Sequence, residues 1–401
     1  MLIDFIILEI HLFSINPVME VKKIRYTLIA GIFSGILFFP SCGENREDYL
    51  PSKDGKESVG LCFRLDASGK QGSRADNDED PAYESHINID GGDFKILLYN
   101  GEGNLIKVLT DAELVFDEDY VSKPYPLLEI ELNETDDIYV AALINWESFG
   151  SDTKYNYPLF SSISDSGQGD PLDNLWTPNH EFSLRDSTPW IPSVGEPRLI
   201  PMFGLTKVNV GESIKTVNGR EIIYVTIPVV RSLAKISFQV SDELFEEGFD
   251  IHECSISNYN KKGYFNPDML QDGNSLNGGN NLQVGVPTCP SQEKISQPLM
   301  FTNIKDGNGK NKLVVYLPEM DNSNFTTDDD DRPIITASLS FEGKKSGEDK
   351  NIELSFGNSD DPSLYDVVRN HFYEYTVVDK NLTFKYTVCL WEKKETEIEF
   401  K

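Results

Sequence analysis

The chain has 401 residues, and 66 Asp and Glu outnumber 36 Lys and Arg to give a formal net charge of −30. This length is typical of two domains, and a hydrophobic share of 39% is enough to build a folded core. The acidic excess argues against nucleic acid as a partner, because phosphate binding needs Lys and Arg.

The first element along the chain is a candidate export signal that ends at Cys42. A basic cluster at residues 22–25 precedes an apolar stretch at residues 26–39, and Pro40-Ser41-Cys42 follows. This pattern resembles a bacterial lipoprotein signal, in which Cys42 would be lipidated; an ordinary secretory signal with a coincidental Cys is the alternative. We expect residues 1–41 to be the signal peptide. Because residues 1–18 read poorly as a signal, we expect the true start of the protein to be Met19.

A β-strand is predicted after a polar tether at residues 43–56. Its apolar residues stand on alternate positions: Val59, Leu61, Phe63 and Leu65. Alternation of this kind is typical of a strand with one buried face. A loop rich in Gly, Ser, Asp and Asn follows at residues 66–81, and it contains Lys70 and Arg74.

Further strands are predicted along the rest of the chain, with no window of convincing helical periodicity. They lie at residues 94–99, 105–109, 138–144, 222–227, 234–240, 313–317, 335–341, 352–356, 372–378, 382–388 and 398–400. The run at 138–144 is continuously apolar, as in a strand buried on both faces. Six Pro residues predict loop structure at 150–200. The fold class is therefore all-β, with two sandwich-like domains.

Motifs for catalysis or metal binding are not found. The histidines after the signal are scattered and lack zinc-ligand spacing: His86, His180, His252 and His371. The acidic run at 76–80 lacks the Gly and the closing Glu of a calcium loop, and the run at 328–331 reads as a solvated loop. We therefore predict no catalytic residue, cofactor or metal ion.

Four cysteines remain after Cys42, and their state is left open. They are Cys62, Cys254, Cys289 and Cys389. An exported protein would permit disulfides, whereas buried free thiols would act as small hydrophobic side chains.

Four short motifs, in this order, resemble those of the fimbrillin family, the subunits of type V pili. They are Leu199-Ile200-Pro201-Met202-Phe203-Gly204, Val230-Arg231-Ser232-Leu233-Ala234-Lys235-Ile236, Val368-Arg369-Asn370-His371-Phe372-Tyr373, and Tyr386-Thr387-Val388 with Trp391. The resemblance implies two transthyretin-like β-sandwich domains, at residues 75–220 and 221–401. It also implies a lipidated tether with a removable first strand at residues 42–74.

The resemblance further implies a non-enzymatic structural or adhesive role. The subunit would reach the outer membrane as a lipoprotein and be cut by an Arg- or Lys-specific protease. Release of the first strand would leave a groove, which a strand of a neighbouring subunit fills to build a fimbria at the cell surface. Such strand addition gains affinity from ladder hydrogen bonds and from side chains that fill pockets.

Carried onto this sequence, the displaced strand is that of Val59, Leu61, Phe63 and Leu65. Arg74 would be the processing site, with Arg46 as the alternative; the first strand could instead be permanent. Two donor regions stay open: Phe384, Tyr386 and Val388, or the tail with Ile398 and Phe400. Other pilus subunits would be the partners, along with host glycans or proteins.

Two other functions are kept as alternatives. A surface lipoprotein that binds glycans and never polymerises could stack sugars on Trp146, Trp176 and Trp190. A secreted glycoside hydrolase needs only two carboxylates about 5 to 10 Å apart, but nothing in the sequence selects a pair.

Overall fold

The computed structural model describes residues 58–66, 84, 94–110, 115–116, 126–132, 136–146, 171–176, 178, 180–184, 199–217, 219–271, 273–277, 281–290, 294–305, 308–322, 333–341, 344–345, 350–353, 366–379 and 384–390. All of them belong to one compact unit, Pro51–Lys401. The described part of the chain contains no helix that is long and apolar enough to span a membrane.

Short strands dominate, as predicted. In chain order they are β1 (Ser58–Asp66), β2 (Phe94–Asn100), β3 (Leu105–Thr110), β4 (Val115–Phe116), β5 (Pro126–Glu131), β6 (Asp137–Ile144), β7 (Glu181–Ser183), β8 (Met202–Asn209), β9 (Ile214–Val217), β10 (Arg220–Arg231), β11 (Ala234–Val240), β12 (Phe249–Ser257), β13 (Tyr259–Asn260), β14 (Lys262–Tyr264), β15 (Ser275–Asn277), β16 (Asn281–Gln283), β17 (Lys294–Ile295), β18 (Leu299–Met300), β19 (Thr302–Lys305), β20 (Asn311–Leu317), β21 (Ile334–Phe341), β22 (Lys344–Lys345), β23 (Lys350–Glu353), β24 (His371–Val377) and β25 (Phe384–Leu390). In the described part of the chain, three helices of four or five residues accompany them: α1 (Asp173–Trp176), α2 (Val210–Ser213) and α3 (Asp242–Glu246).

A nine-stranded sheet holds the first part of the chain. Its strand order is β3-β2-β6-β8-β10-β1-β5-β4, and β9 also pairs with β10. β1 runs parallel to β10 and antiparallel to β5. β10 pairs with β1 over residues 222–228 and with β8 over residues 229–231, so this long strand joins the two halves of the sheet.

Two five-stranded sheets hold the second part of the chain. One has the order β19-β20-β11-β24-β25, and the other has the order β18-β12-β21-β22 with β23 beside β21. Apolar residues of both sheets, such as Ile236, Phe238 and Ile256, lie in one buried cluster. The two sheets therefore face each other as a β-sandwich, which confirms the predicted all-β class; the division into two sandwich domains stays a prediction.

The same large cluster includes residues of the nine-stranded sheet, and a second cluster covers that sheet's other face. Ile138, Val140 and Ala142 of β6 point into the first cluster, whereas Ala141 and Leu143 belong to the second. β6 is thus buried on both faces, as its continuous apolar run predicts. Sheet membership changes between β10 and β11; the domain bounds 75–220 and 221–401 stay a prediction.

Three strands of more than five residues were not among the predicted strands: β5, β8 and β12. β8 contains Gly204, and a glycine inside a strand weakens its sequence signal. The fold needs that glycine, because an added Cβ would lie 2.8 Å from methyl groups of both Ile227 and Val229 on β10. The predicted strand at 398–400 lies outside the described residues.

Candidate functional site

The candidate site is the position of β1 within the nine-stranded sheet. Seven residues of β1, from Gly60 to Asp66, pair with residues 222–228 of β10. Five residues, from Ser58 to Cys62, pair with residues 127–131 of β5. The predicted first strand is therefore an internal strand with a neighbour on each edge, and its removal would leave two unpaired ladders.

The alternating apolar residues of β1 all point into the core. Val59 and Leu65 are 1% and 3% exposed, and Leu61 and Phe63 are fully buried. They share their cluster with Ile223, Val225 and Ile227 of β10. Burial of a large apolar side chain is worth about 1.5–3 kcal/mol, so these four contribute roughly 6–12 kcal/mol as an upper estimate. β1 is consequently a strong plug for this position.

The predicted processing residues lie outside the described residues, as do Cys42, Ile398 and Phe400. Arg74 falls between Asp66, the last residue of β1, and Glu84. Arg46 precedes β1. Cleavage at Arg74 would thus separate β1 from the remainder of the chain on its C-terminal side, whereas cleavage at Arg46 would leave β1 attached.

Glu84 is held in a buried polar cluster that the sequence analysis missed. Its carboxylate lies 3.0 Å from Nζ of Lys235 on β11 and accepts a hydrogen bond from the Tyr316 hydroxyl on β20. Its main-chain carbonyl accepts a hydrogen bond of 3.3 Å from Nε of Arg231. No local pattern distinguishes Glu84 from the other acids, because Arg231 and Lys235 lie 147 and 151 positions away along the chain and Tyr316 lies 232 positions away.

The predicted donor residues Phe384, Tyr386 and Val388 all lie on β25. This strand is the last of its five-stranded sheet and pairs antiparallel with β24, with Tyr386 opposite Tyr375 and Val388 opposite Tyr373. Val388 packs against the large apolar cluster. β25 therefore has one paired edge in the described structure, unlike β1, which has two.

The first three sequence motifs meet at one buried junction. The Ser232 amide donates to the carbonyl of Pro201 at 2.9 Å, and the Arg231 amide donates to Oδ1 of Asn370 at 3.2 Å. The Asn370 amide in turn donates to the carbonyl of Leu233. Asn370 has a φ of +56°, a conformation that Asn tolerates better than most residues. The motifs therefore hold the end of β10 against the start of β24.

A second buried charge pair adjoins this junction. Nη2 of Arg369 lies 2.8 Å from Oε2 of Glu319, and the Arg369 amide donates to Oε1 at 3.0 Å. The guanidinium also donates to the carbonyls of Phe265 and Tyr264. The sequence motif contained Arg369, but Glu319 was not identified.

The titratable residues considered from the sequence do not gather into one site. Burial lowers the pKa of His180 to about 4 and also lowers the pKa of His371. Burial raises the pKa of the Cys254 thiol, which is a free cysteine. In the ranges that the structure describes, no three His, Cys, Asp or Glu side chains are grouped so that they could hold a metal ion.

The tryptophans considered for sugar stacking differ in their surroundings. Trp146 is 1% exposed and lies beneath Nζ of Lys95, 5.8 Å from the ring centre, so it presents no face to a sugar. Trp176 is half-buried and meets Tyr139 edge to face, with ring centres 6.0 Å apart. Trp190 lies outside the described residues.

Comparison with solved structures finds fimbrial proteins. The chain is similar to the C-terminally truncated tip fimbrial protein Mfa3 of Porphyromonas gingivalis, with 13% identity, a TM-score of 0.47, and coverage of 83% of this chain and 100% of that one. It is also similar to a fimbrial assembly protein of Parabacteroides distasonis, with 12% identity, a TM-score of 0.42, and coverage of 83% and 95%. No protein-family model and no curated protein matches the sequence.

Proposed function

We propose that this protein is a structural or adhesive subunit of a type V pilus. It is exported as an outer-membrane lipoprotein through Cys42, cut after Arg74, and joined to other subunits at the cell surface by strand exchange. One observation carries the proposal: the predicted removable strand is β1, which fills an internal position between β10 and β5 with four buried apolar side chains.

Loss of β1 would create a groove with defined chemistry. Ile223, Val225 and Ile227 of β10 would line one side of it, and the facing edges of β10 and β5 would present unpaired N–H and C=O groups. An incoming strand would have to place an apolar residue at every second position and to run parallel to β10. Such an open position invites uncontrolled pairing, so keeping β1 in place until assembly protects the precursor from aggregation.

β25 supplies a candidate donor with one paired edge. Its residues Phe384, Tyr386 and Val388 alternate along the strand, which suits a groove that accepts every second side chain. To donate, β25 would have to leave β24 and exchange an internal ladder for one with a neighbouring subunit. The tail that contains Ile398 and Phe400 is the other candidate, and it would leave β25 in place.

Charge would limit contacts other than strand exchange. Residues 1–41 hold three acids and three bases, and residues 42–74 hold six of each, so cleavage after Arg74 would leave the processed subunit with the whole net charge of −30. Two bodies with this charge repel each other at low ionic strength. Subunits would therefore associate where a strand fits a groove rather than through their general surfaces.

The experiment treats purified precursor with an Arg-specific protease and follows its products by N-terminal sequencing and electrophoresis in SDS. We expect a new N-terminus at Ala75 and SDS-resistant ladders. Arg74→Ala should abolish both, whereas Arg46→Ala should leave both intact. A product that starts at Ala75 and stays monomeric would refute the strand exchange, and unchanged processing of Arg74→Ala would refute the predicted site.

A further inference from the structure

We infer that Glu84 is an anchor that holds the chain beyond the processing site to the folded body, so that β1 can leave without loosening the chain at Glu84. The contacts of Glu84 are present in the uncut chain, whereas their role during the release of β1 rests on the proposed function. Glu84 is a positioning residue, since it acts through its contacts to Arg231, Lys235 and Tyr316.

The carboxylate of Glu84 is bound to two neighbouring strands. Nζ of Lys235 lies 3.0 Å and 3.1 Å from its two oxygens, and the Tyr316 hydroxyl donates to one of them. Lys235 and Tyr316 are directly opposite each other in the pairing of β11 with β20. One carboxylate therefore ties the chain at Glu84 to two strands of a five-stranded sheet.

Burial makes this contact hard to open. The side chain of Glu84 is 1% exposed, and that of Lys235 is 3% exposed. The Lys235 ammonium also lies 4.9 Å from the centre of the Phe372 ring, so an aromatic face covers it. Withdrawal of Glu84 would take a carboxylate away from a buried ammonium, which is strongly unfavourable. Opening is therefore rare while the sheet is intact.

The main chain of Glu84 is bound as well, at the far end of β10. Nε of Arg231 donates to its carbonyl at 3.3 Å, and Arg231 itself pairs with Met202 of β8. The ladder between β10 and β1 ends at Pro228, so this contact lies beyond it. Departure of β1 would consequently remove none of the three contacts to Arg231, Lys235 and Tyr316.

Hydrogen exchange tests the anchor on the full-length precursor before and after Arg-specific cleavage. We expect cleavage of the wild type, with release of β1, to reduce protection of β5 and of residues 222–228 by about tenfold or more. Protection of a peptide that contains Glu84 in its interior should change by less than about twofold. Equal loss of protection in both regions would overturn the proposal.

Glu84→Gln should lower protection of that same peptide by about tenfold or more even in the uncut precursor, because a charged hydrogen-bonded contact is lost. Glu253→Gln, the same change at an exposed position on β12, should leave it unchanged. Tyr316→Phe removes one hydrogen-bond donor and keeps the pair of Glu84 and Lys235, so it should give a smaller loss of protection. This variant serves as the test of the anchor if Glu84→Gln does not fold. If the peptide in Glu84→Gln is as protected as in the wild type, the anchor is overturned. The same result in Tyr316→Phe overturns it if Glu84→Gln does not fold.

The two proposals fail separately. A precursor that resists cleavage at Arg74 would count against the proposed function, while the uncut variants still measure the anchor. Conversely, clean cleavage and polymerisation with an unprotected Glu84 segment would refute the anchor alone.

Discussion

Arg369 and Glu319 form an ion pair that is closed to solvent, with Nη2 2.8 Å from Oε2 and side chains that are 0% and 1% exposed. The pair connects the start of β24 to the segment just after β20. Glu319 also accepts the amide of Thr288 at 3.0 Å, so one carboxylate holds three parts of the chain. A buried pair of this kind is most costly when a single partner is removed.

Substitution of this pair should show that cost. We expect Arg369→Met and Glu319→Gln each to lower the free energy of unfolding by about 3–5 kcal/mol, because each leaves a buried polar group without its partner. The double variant should cost less than the sum of the two. Urea denaturation measures all three.

The partly exposed pair of Lys207 and Asp137, with Nζ 2.8 Å from Oδ2, is the control. Both side chains are about one third exposed, so loss of Lys207 should cost at most about 1 kcal/mol. Equal costs for the two pairs would contradict the expected effect of burial.

Phe63→Ala should destabilise the precursor but not the processed subunit. Phe63 is fully buried on β1, so its truncation should cost the precursor about 3–5 kcal/mol. If β1 is released, the assembled polymer no longer contains this residue and should melt like the wild type. Phe94→Ala, on the retained strand β2 and equally buried, should lower the melting temperature of both forms. A polymer weakened by Phe63→Ala would show that β1 stays.

Gly204→Ala should weaken the junction between β8 and β10. The added Cβ would lie 2.8 Å from Ile227 Cγ2 and 3.0 Å from the carbonyl of Pro228, so packed strands would have to move apart. We expect a loss of about 1–3 kcal/mol in the free energy of unfolding, measured by thermal or urea denaturation. Gly219→Ala has open space but a φ of +82°, so its cost should come from the backbone alone and stay near about 1 kcal/mol.

Acid should destabilise the fold partly through His180. Its pKa is about 4 in the folded chain and near 6.5 when unfolded, so the unfolded state binds the proton first as the pH falls. Neutral His180 costs no stability above pH 6.5. Below that pH the free energy of unfolding falls by about 1.4 kcal/mol per pH unit, and the total loss is roughly 3 kcal/mol near pH 4. His180→Gln should flatten this part of the profile; an unchanged slope would assign the effect to other groups, such as His371.

Local apolar patterns were sufficient to predict most of the described strands that are longer than five residues. Val59 to Leu65 and Ala234 to Val240 alternate with period two, and both are strands with one face in the core. β10 was predicted only over residues 222–227, because Pro228 interrupts its pattern. In the fold the strand continues to Arg231, and Pro228, which lacks an N–H donor, stands at the last position paired with β1.

The sequence by itself determined the all-β class, the buried face of β1 and the order of the motifs, because period-two patterns and local residue types carry that information. Only the tertiary structure decided that β1 lies between β10 and β5, and that Glu84 and Glu319 are buried against Lys235 and Arg369. An alternating pattern specifies which side chains a strand buries but not which strand lies beside it. Likewise, the burial of a charge depends on a partner that the chain brings near only when it folds.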